Sequence, residues 1–97
     1  MTHTTALILR AVAAGHRHGF DIMEVSGLPS GTIYPALRRL ERGGALASAW
    51  EDQKEAGRPR RRVYHVTGEG EALVREAERR LAEARRFLAA TESLEGR

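Results

Sequence analysis

The chain has 97 residues, no cysteine and a net charge of +3 at neutral pH. That length predicts one domain with a core that is marginal alone, and the missing thiols exclude disulfides, thiol catalysis and cysteine-ligated zinc. The basic excess lies wholly in residues 30–67, with eight basic against four acidic side chains, while the flanking segments carry net charges of 0 and −1; a nucleic-acid-binding patch and a solvated basic surface both fit.

Thr4 or Thr5 suits the cap of a first helix that runs to about Ala14 and stops at Gly15. Ala6, Leu7, Ile8, Leu9, Ala11, Val12, Ala13 and Ala14 leave almost no polar face, so this helix needs burial on two sides. The domain's own core supplies one side. A second copy of the chain is the simplest source of the other, which makes Leu7 and Ala11 candidate dimer-interface residues. The same apolar stretch is too short to cross a bilayer and contains Arg10. No signal-peptide pattern opens the chain. A cytoplasmic protein with no membrane partner is expected.

A short second helix is predicted over about Gly19 to Val25, with Phe20, Ile22 and Met23 as apolar anchors, and Ser26-Gly27-Leu28-Pro29 reads as a turn. A third helix follows from about Ser30 to Arg42. Ile33, Leu37 and Leu40 form one stripe on it, and Gly43-Gly44 ends it. Pro35 should lie near its start, because an interior proline breaks a helix; with Thr32 as cap it falls in the first turn. Leu46 to Glu51 and Arg61 to Val66 alternate as two strands of a hairpin, joined by the polar loop Asp52 to Arg60. Thr67 can cap a last helix, with Glu69 and Glu71 near its positive end. Leu73, Ala77, Leu81, Ala84, Leu88 and Thr91 then step in a heptad-like seam. At ~1.5 Å per residue, Thr67 to Leu94 is about 40 Å long, more than a two-strand hairpin can cover. Leu73, Ala77, Leu81, Ala84 and Leu88 are therefore candidate dimer-interface residues. Only Ser93 to Arg97 look loose.

Helix, helix, turn, helix, hairpin, helix is the order of a winged helix-turn-helix. The fold class expected is mainly α with a small β-hairpin, a winged helix-turn-helix plus a C-terminal dimerisation helix. Residues 1–66 form the first part and residues 67–97 the second, packed as one unit. In such folds the helix from Ser30 enters the major groove of DNA. Its positions outside the core stripe are Ser30, Gly31, Thr32, Tyr34, Pro35, Arg38, Arg39 and Arg42. Hydroxyls and amides near its start suit phosphates, and Arg38 and Arg39 can reach bases or the flanking backbone. The run Arg58-Pro59-Arg60-Arg61-Arg62 makes a basic wing suited to phosphates or the minor groove.

Leu28-Pro29-Ser30-Gly31-Thr32-Ile33-Tyr34-Pro35-Ala36-Leu37-Arg38-Arg39-Leu40-Glu41 closely resembles the recognition-helix signature of PadR-family regulators. The resemblance extends to His18-Gly19-Phe20-Asp21-Ile22, Trp50-Glu51, Gly57-Arg58-Pro59-Arg60-Arg61 and Tyr64-His65-Val66-Thr67 with Gly70, over about residues 7–75. With one C-terminal helix the chain looks like the short-tailed branch. The resemblance implies a repressor dimer on double-stranded DNA, whose C-terminal helix packs on its own copy and on the partner's first helix. It implies Ser30, Gly31, Thr32, Tyr34, Pro35, Arg38 and the wing arginines Arg58, Arg60 and Arg61 as DNA-facing; the helical position of Arg39, not the resemblance, adds it as a DNA-binding candidate toward phosphate. Family members are commonly released by small molecules. Some relatives hold flat aromatic ligands between aromatic side chains at the dimer interface; the last helix here has one aromatic, Phe87.

Four residues admit a second role. Tyr34 can pack on the neighbouring helix instead of DNA, Trp50 reads as wing-to-helix packing, and His16 and His18 fit loop and helix-entry roles better than a metal site. No metal and no cofactor is expected. Two other functions compete. A winged-helix protein-interaction module would carry an acidic or apolar reading face, which these arginines oppose. An enzyme would need a nucleophile–base pair, a metal cluster or a phosphate-cradling loop, and none stands out; Gly68-Glu69-Gly70 reads as ordinary helix capping.

Overall fold

In the computed structural model, residues 2–52, 56–57 and 59–95 are described. Helix α1 (His3–Ala13) starts earlier than Thr4 or Thr5 would place it, because Thr2 is the cap. Its extended backbone lets its hydroxyl accept the Thr5 amide at 3.2 Å, the spacing an N-cap requires. Ile8, Leu9, Ala11 and Val12 are buried. Ala11, expected at a dimer surface, is thus covered by its own chain and only 8% exposed. Its stripe also holds Ile8 and Val12, and that stripe faces inward. Leu7, one step round the helix, is half-buried.

Helix α2 (Gly19–Ser26) inserts Ile22 into the core and ends on Gly27, whose φ of +74° is the left-handed cap conformation. Phe20 is not an anchor. It is 66% exposed, because two residues along a helix turn a side chain by about 200°, away from the face Ile22 buries.

Helix α3 (Ser30–Arg42) buries Ile33, Ala36 and Leu37 completely. Its N-cap is Pro29, not Thr32, so Pro35 lies inside the helix rather than in the first turn. Proline there removes the bond to the carbonyl of Gly31. Gly31 lies on the exposed side of the helix, and three fully buried side chains outweigh one lost bond.

Strands β1 (Leu46–Trp50) and β2 (Arg62–Val66) pair antiparallel in the register Leu46↔Val66, Ser48↔Tyr64, Trp50↔Arg62. Those six residues share one face. Leu46 and Tyr64 close the core at its inner end. The amide of Tyr64 donates to the Arg17 carbonyl at 2.9 Å, which ties β2 to the segment before α2.

Thr67 caps helix α4 (Gly68–Glu95) as its position predicts: its hydroxyl accepts the Gly70 amide at 3.1 Å and donates to the Gly44 carbonyl. Gly70 does more than the capping reading assigns to it. It is buried so close to β1 that a Cβ there would overlap the Ala45 carbonyl oxygen and lie 2.7 Å from Val66 Cγ1. Beyond Ala77 the helix projects with few neighbours, which gives the chain a long extent of 68 Å against 25 and 20 Å. No described helix is long and apolar enough to cross a membrane.

Gly70→Ala is expected to destabilise the fold by about 1–3 kcal/mol through overpacking, despite alanine's better helix propensity. Gly68→Ala, where nothing lies within 4 Å, should be neutral or slightly stabilising. Urea denaturation of both variants measures the difference.

Candidate nucleic-acid interface

Burial of one stripe fixes what α3 shows to solvent. Ser30, Gly31, Tyr34, Arg38 and Arg39 are exposed, and Thr32 and Pro35 are half-buried. The first turn leaves amides without intrahelical partners, and Arg39 and Arg42 sit in the last turn, where the helix dipole favours cations. Tyr34 packs against the neighbouring helix and still reaches solvent. It is 40% exposed, while its ring lies so close to α2 that a Cβ on Gly19 would be 2.6 Å from Tyr34 Cε1.

The wing stands beside α3, held by two acidic residues. Glu41 of α3 accepts a hydrogen bond from the Ser48 hydroxyl and pairs with Arg62 at 3.4 Å. Arg62 Nε also donates to Ser48 Oγ at 2.8 Å, and the Arg62 guanidinium lies over the Trp50 ring, 5.2 Å from its centroid. Trp50 therefore packs on Arg62, and it stays 55% exposed. Glu51 makes the second tie. His18 Nε2 lies 2.6 Å from Glu51 Oε2, and Arg61 Nη2 donates to Glu51 Oε1 at 3.2 Å. These two hydrogen bonds hold the Glu51 carboxyl below its ordinary value, with His18 the larger cause and Arg61 next. His16, the other helix-entry histidine, pairs with Asp21 at 3.1 Å.

Between these elements runs a concave surface. A hollow of about 610 Å³ is lined by His18, Phe20, Tyr34, Arg61, Arg62 and Tyr64, among others. A second, of about 390 Å³, is bordered by Arg38, Glu41, Arg42, Arg62 and Tyr64. Of the residues singled out from the sequence, Tyr34, Arg38 and Arg61 thus line adjoining hollows. Arg39 lines neither, and Arg60 is exposed with its Nε donating to the Glu51 carbonyl at 3.3 Å. Arg58 lies outside the described residues. The sequence reading misses the work of Glu41, Glu51 and Arg62. A signal existed for Arg62: alternation along its strand places it on the face of Tyr64. Nothing local marks Glu51 as the partner of a histidine 33 positions earlier.

Residues 8–76 match the transcriptional regulator PadR-like family. The transcriptional regulator Rv3488 of Mycobacterium tuberculosis is 39% identical over 70 residues, 72% of this chain; the chain spans 57% of that relative's length. A PadR family transcription regulator from Clostridium difficile R20291 superposes with a TM-score of 0.79 at 22% identity, covering 89% of this chain and 94% of that one, a likeness of fold. The PcaV transcriptional regulator from Streptomyces coelicolor, solved in complex with its natural ligand, gives a TM-score of 0.76 at 25% identity over 93% of this chain and 62% of that one. The family and these relatives are transcriptional regulators, not enzymes.

The lowered Glu51 carboxyl fixes the sign of a pH effect. Because its value is depressed in the folded chain, the contact contributes stability above the ordinary carboxylate range and loses it as pH falls through the lowered value. Glu51→Gln is expected to lose part of the stability at neutral pH and to show a smaller further loss on acidification. Thermal melts of both proteins at stepped pH check this.

Proposed function

This chain belongs to the PadR-like family of transcriptional regulators, and we propose that it is a cytoplasmic repressor that binds an inverted-repeat operator in double-stranded DNA as a homodimer. One observation carries the reading: Tyr34 and Arg38 of α3 and Arg61 and Arg62 of the wing line adjoining hollows on one side of the molecule. A recognition helix in the major groove with a wing over the flanking backbone needs that arrangement. In this reading Ser30, Gly31, Thr32, Tyr34, Pro35 and Arg38 face the groove. Arg39 reaches phosphate, and Arg58, Arg60 and Arg61 supply affinity that ignores sequence. A small-molecule effector is part of the proposal by analogy with PcaV, whose structure holds a natural ligand.

The dimer half of the reading rests on α4. Leu73, Leu81 and Leu88 are 42%, 43% and 57% exposed, and they share a seam with Ala77 and Ala84. Residues 67–97 then act as a dimerisation helix on a DNA-binding unit formed by residues 1–66, with Leu7 as the α1 contribution. The protein-interaction alternative lacks support, since the exposed side of α3 and the wing is basic.

Arg38 is the residue best placed to read a base, because arginine pairs bidentately with guanine. Arg38→Ala should cost roughly 1–3 kcal/mol on a duplex selected from a random pool and relax one position in each half-site. Random-sequence duplex should be affected less. Equal losses on both would make Arg38 a backbone clamp and place specificity elsewhere.

Light scattering should show a dimer at micromolar concentration, and Leu81→Glu should split it or unfold the chain. A stable monomer for the unaltered protein would remove the homodimer from the proposal.

A further inference from the structure

Glu51 is an acidic side chain on a basic face. It is only 26% exposed, as is His18. Its backbone is as engaged as its carboxylate: the Glu51 amide donates to the Arg61 carbonyl at 2.7 Å, and the Glu51 carbonyl accepts from Arg60 Nε at 3.3 Å. The carboxylate bridges the entry of α2 and the foot of β2, beside the main-chain bond from the Tyr64 amide to the Arg17 carbonyl. One oxygen meets His18, the N-cap residue of α2, and the other meets Arg61 at the foot of β2. Arg61 gives Glu51 one terminal nitrogen, and its side chain remains 65% exposed. An arginine has five donors in a rigid fork. One edge of the Arg61 fork is thus fixed, and the rest points at solvent on the side that Tyr34 shares.

We propose that Glu51, fastened by His18, is a positioning residue that holds the Arg61 guanidinium ready to receive a DNA phosphate. This rests on the DNA-binding reading above. The chain of contacts runs from His18 to Glu51 to Arg61 and ends at the phosphate; Glu51 itself never touches DNA. Ordering a long, rotamer-rich side chain opposes binding when it occurs on contact. Here the ordering is done during folding, and the hydrogen bond to Glu51 leaves the guanidinium its charge.

The proposal makes a prediction opposite in sign to that of net charge. Removing a carboxylate from a surface that meets polyanion should tighten binding and steepen its salt dependence. Removing a positioning group should weaken binding although the surface becomes more positive.

The experiment measures binding of labelled random-sequence duplex by fluorescence anisotropy across a salt series. The proteins are the unaltered chain, Glu51→Ala, Glu51→Gln, His18→Ala, Arg61→Ala and the Glu51→Ala/Arg61→Ala pair. Circular dichroism establishes that each is folded. Glu51→Ala is expected to bind about three- to tenfold more weakly. Glu51→Gln, which keeps an oxygen for Arg61, should lose less, and His18→Ala should weaken binding in the same direction. In the Arg61→Ala background, Glu51→Ala should bring no loss, or a gain, since only a repelling charge is removed. Exposed Arg61 can be truncated without disturbing the core, which keeps this arm informative if Glu51→Ala alone folds poorly. Tighter binding by both Glu51 variants overturns the proposal. So does a Glu51→Ala loss of equal size with and without Arg61, the signature of a general distortion. Failure of the unaltered chain to bind duplex in any salt overturns the DNA reading itself, and this inference with it.

Discussion

Helix α3 can sit against the rest of the chain in only one rotation. Ile33, Ala36 and Leu37 are wholly inaccessible, and large buried side chains cannot be rotated outward without opening a cavity. That single setting orders the whole outer surface. Tyr34, Arg38 and Glu41 recur at i, i+4 and i+7, so they form a second strip about a quarter-turn or more from the buried one. Each meets a different neighbour. Tyr34 lies against Gly19, Arg38 borders the hollow that Arg62 closes, and Glu41 takes hydrogen bonds from Ser48 and Arg62. The core residues thus decide where the wing stands, although among the described residues its strands give that core only Leu46, Tyr64 and Val66.

Charge on this surface is organised by its minority sign. Counting residues 30–67 as four units positive suggests a simple attractive patch, but Glu41 and Glu51 act as joints within it. Each carboxylate draws an arginine of β2 or of the segment leading into it toward a different part of the helical unit: Arg62 toward α3, and Arg61 toward the entry of α2. Exposed ion pairs contribute little stability singly. Their effect here is orientation, because an arginine fork held at one edge has far fewer arrangements for the other. Arg62 goes further. With Glu41, Ser48 and the Trp50 ring all engaged, it is a strut between wing and helix, and the wing is less uniformly free to bind anions than its run of arginines suggests.

Periodicity makes the elements themselves legible. The stripe Ile33, Leu37, Leu40 and the alternation from Arg61 to Val66 are local patterns, and the structure contains both the helix and the hairpin. The misreadings have separate physical causes. Phe20 is apolar, but in an eight-residue helix only one narrow face reaches the core, and Ile22 occupies it. Ala11 is small enough for an interface, yet Ile8 and Val12 on its stripe turn it inward. Pro35 is placed by a general penalty that does not know the carbonyl it orphans belongs to exposed Gly31. The site is less legible than the fold. Arg38 and Tyr34 follow from helix geometry, but the His18–Glu51 contact spans 33 positions and exists only after the hairpin has been tied to the segment before α2. Gly70 is similar: its need for a missing Cβ arises from the approach of the Ala45 carbonyl, which no local pattern announces.

The projecting part of α4 is the least self-sufficient part of the chain. Arg79 bonds Glu76 and Glu83, and Arg80 bonds Glu76, on one flank of the helix. The hydrogen bonds and charge of Arg79 hold the Glu76 carboxyl below its ordinary value. Pairs of this kind stabilise a helix by only about 0.2–0.5 kcal/mol each, and most helical stability in proteins comes from tertiary packing of an amphipathic face. They mark instead which flank is at home in solvent, and by difference which is not: Leu73, Leu81 and Leu88 lie together beside that network, about half exposed. On the homodimer reading this seam does more than hold two copies together. Gly70 and Thr67 lock the root of α4 against β1 and the turn before it, so α4 cannot swing without moving the wing and α3. The packing angle of two α4 helices would then set the spacing of two recognition helices, which must be about 34 Å to meet successive major grooves. A ligand that altered that angle would change DNA affinity without touching a single residue of α3.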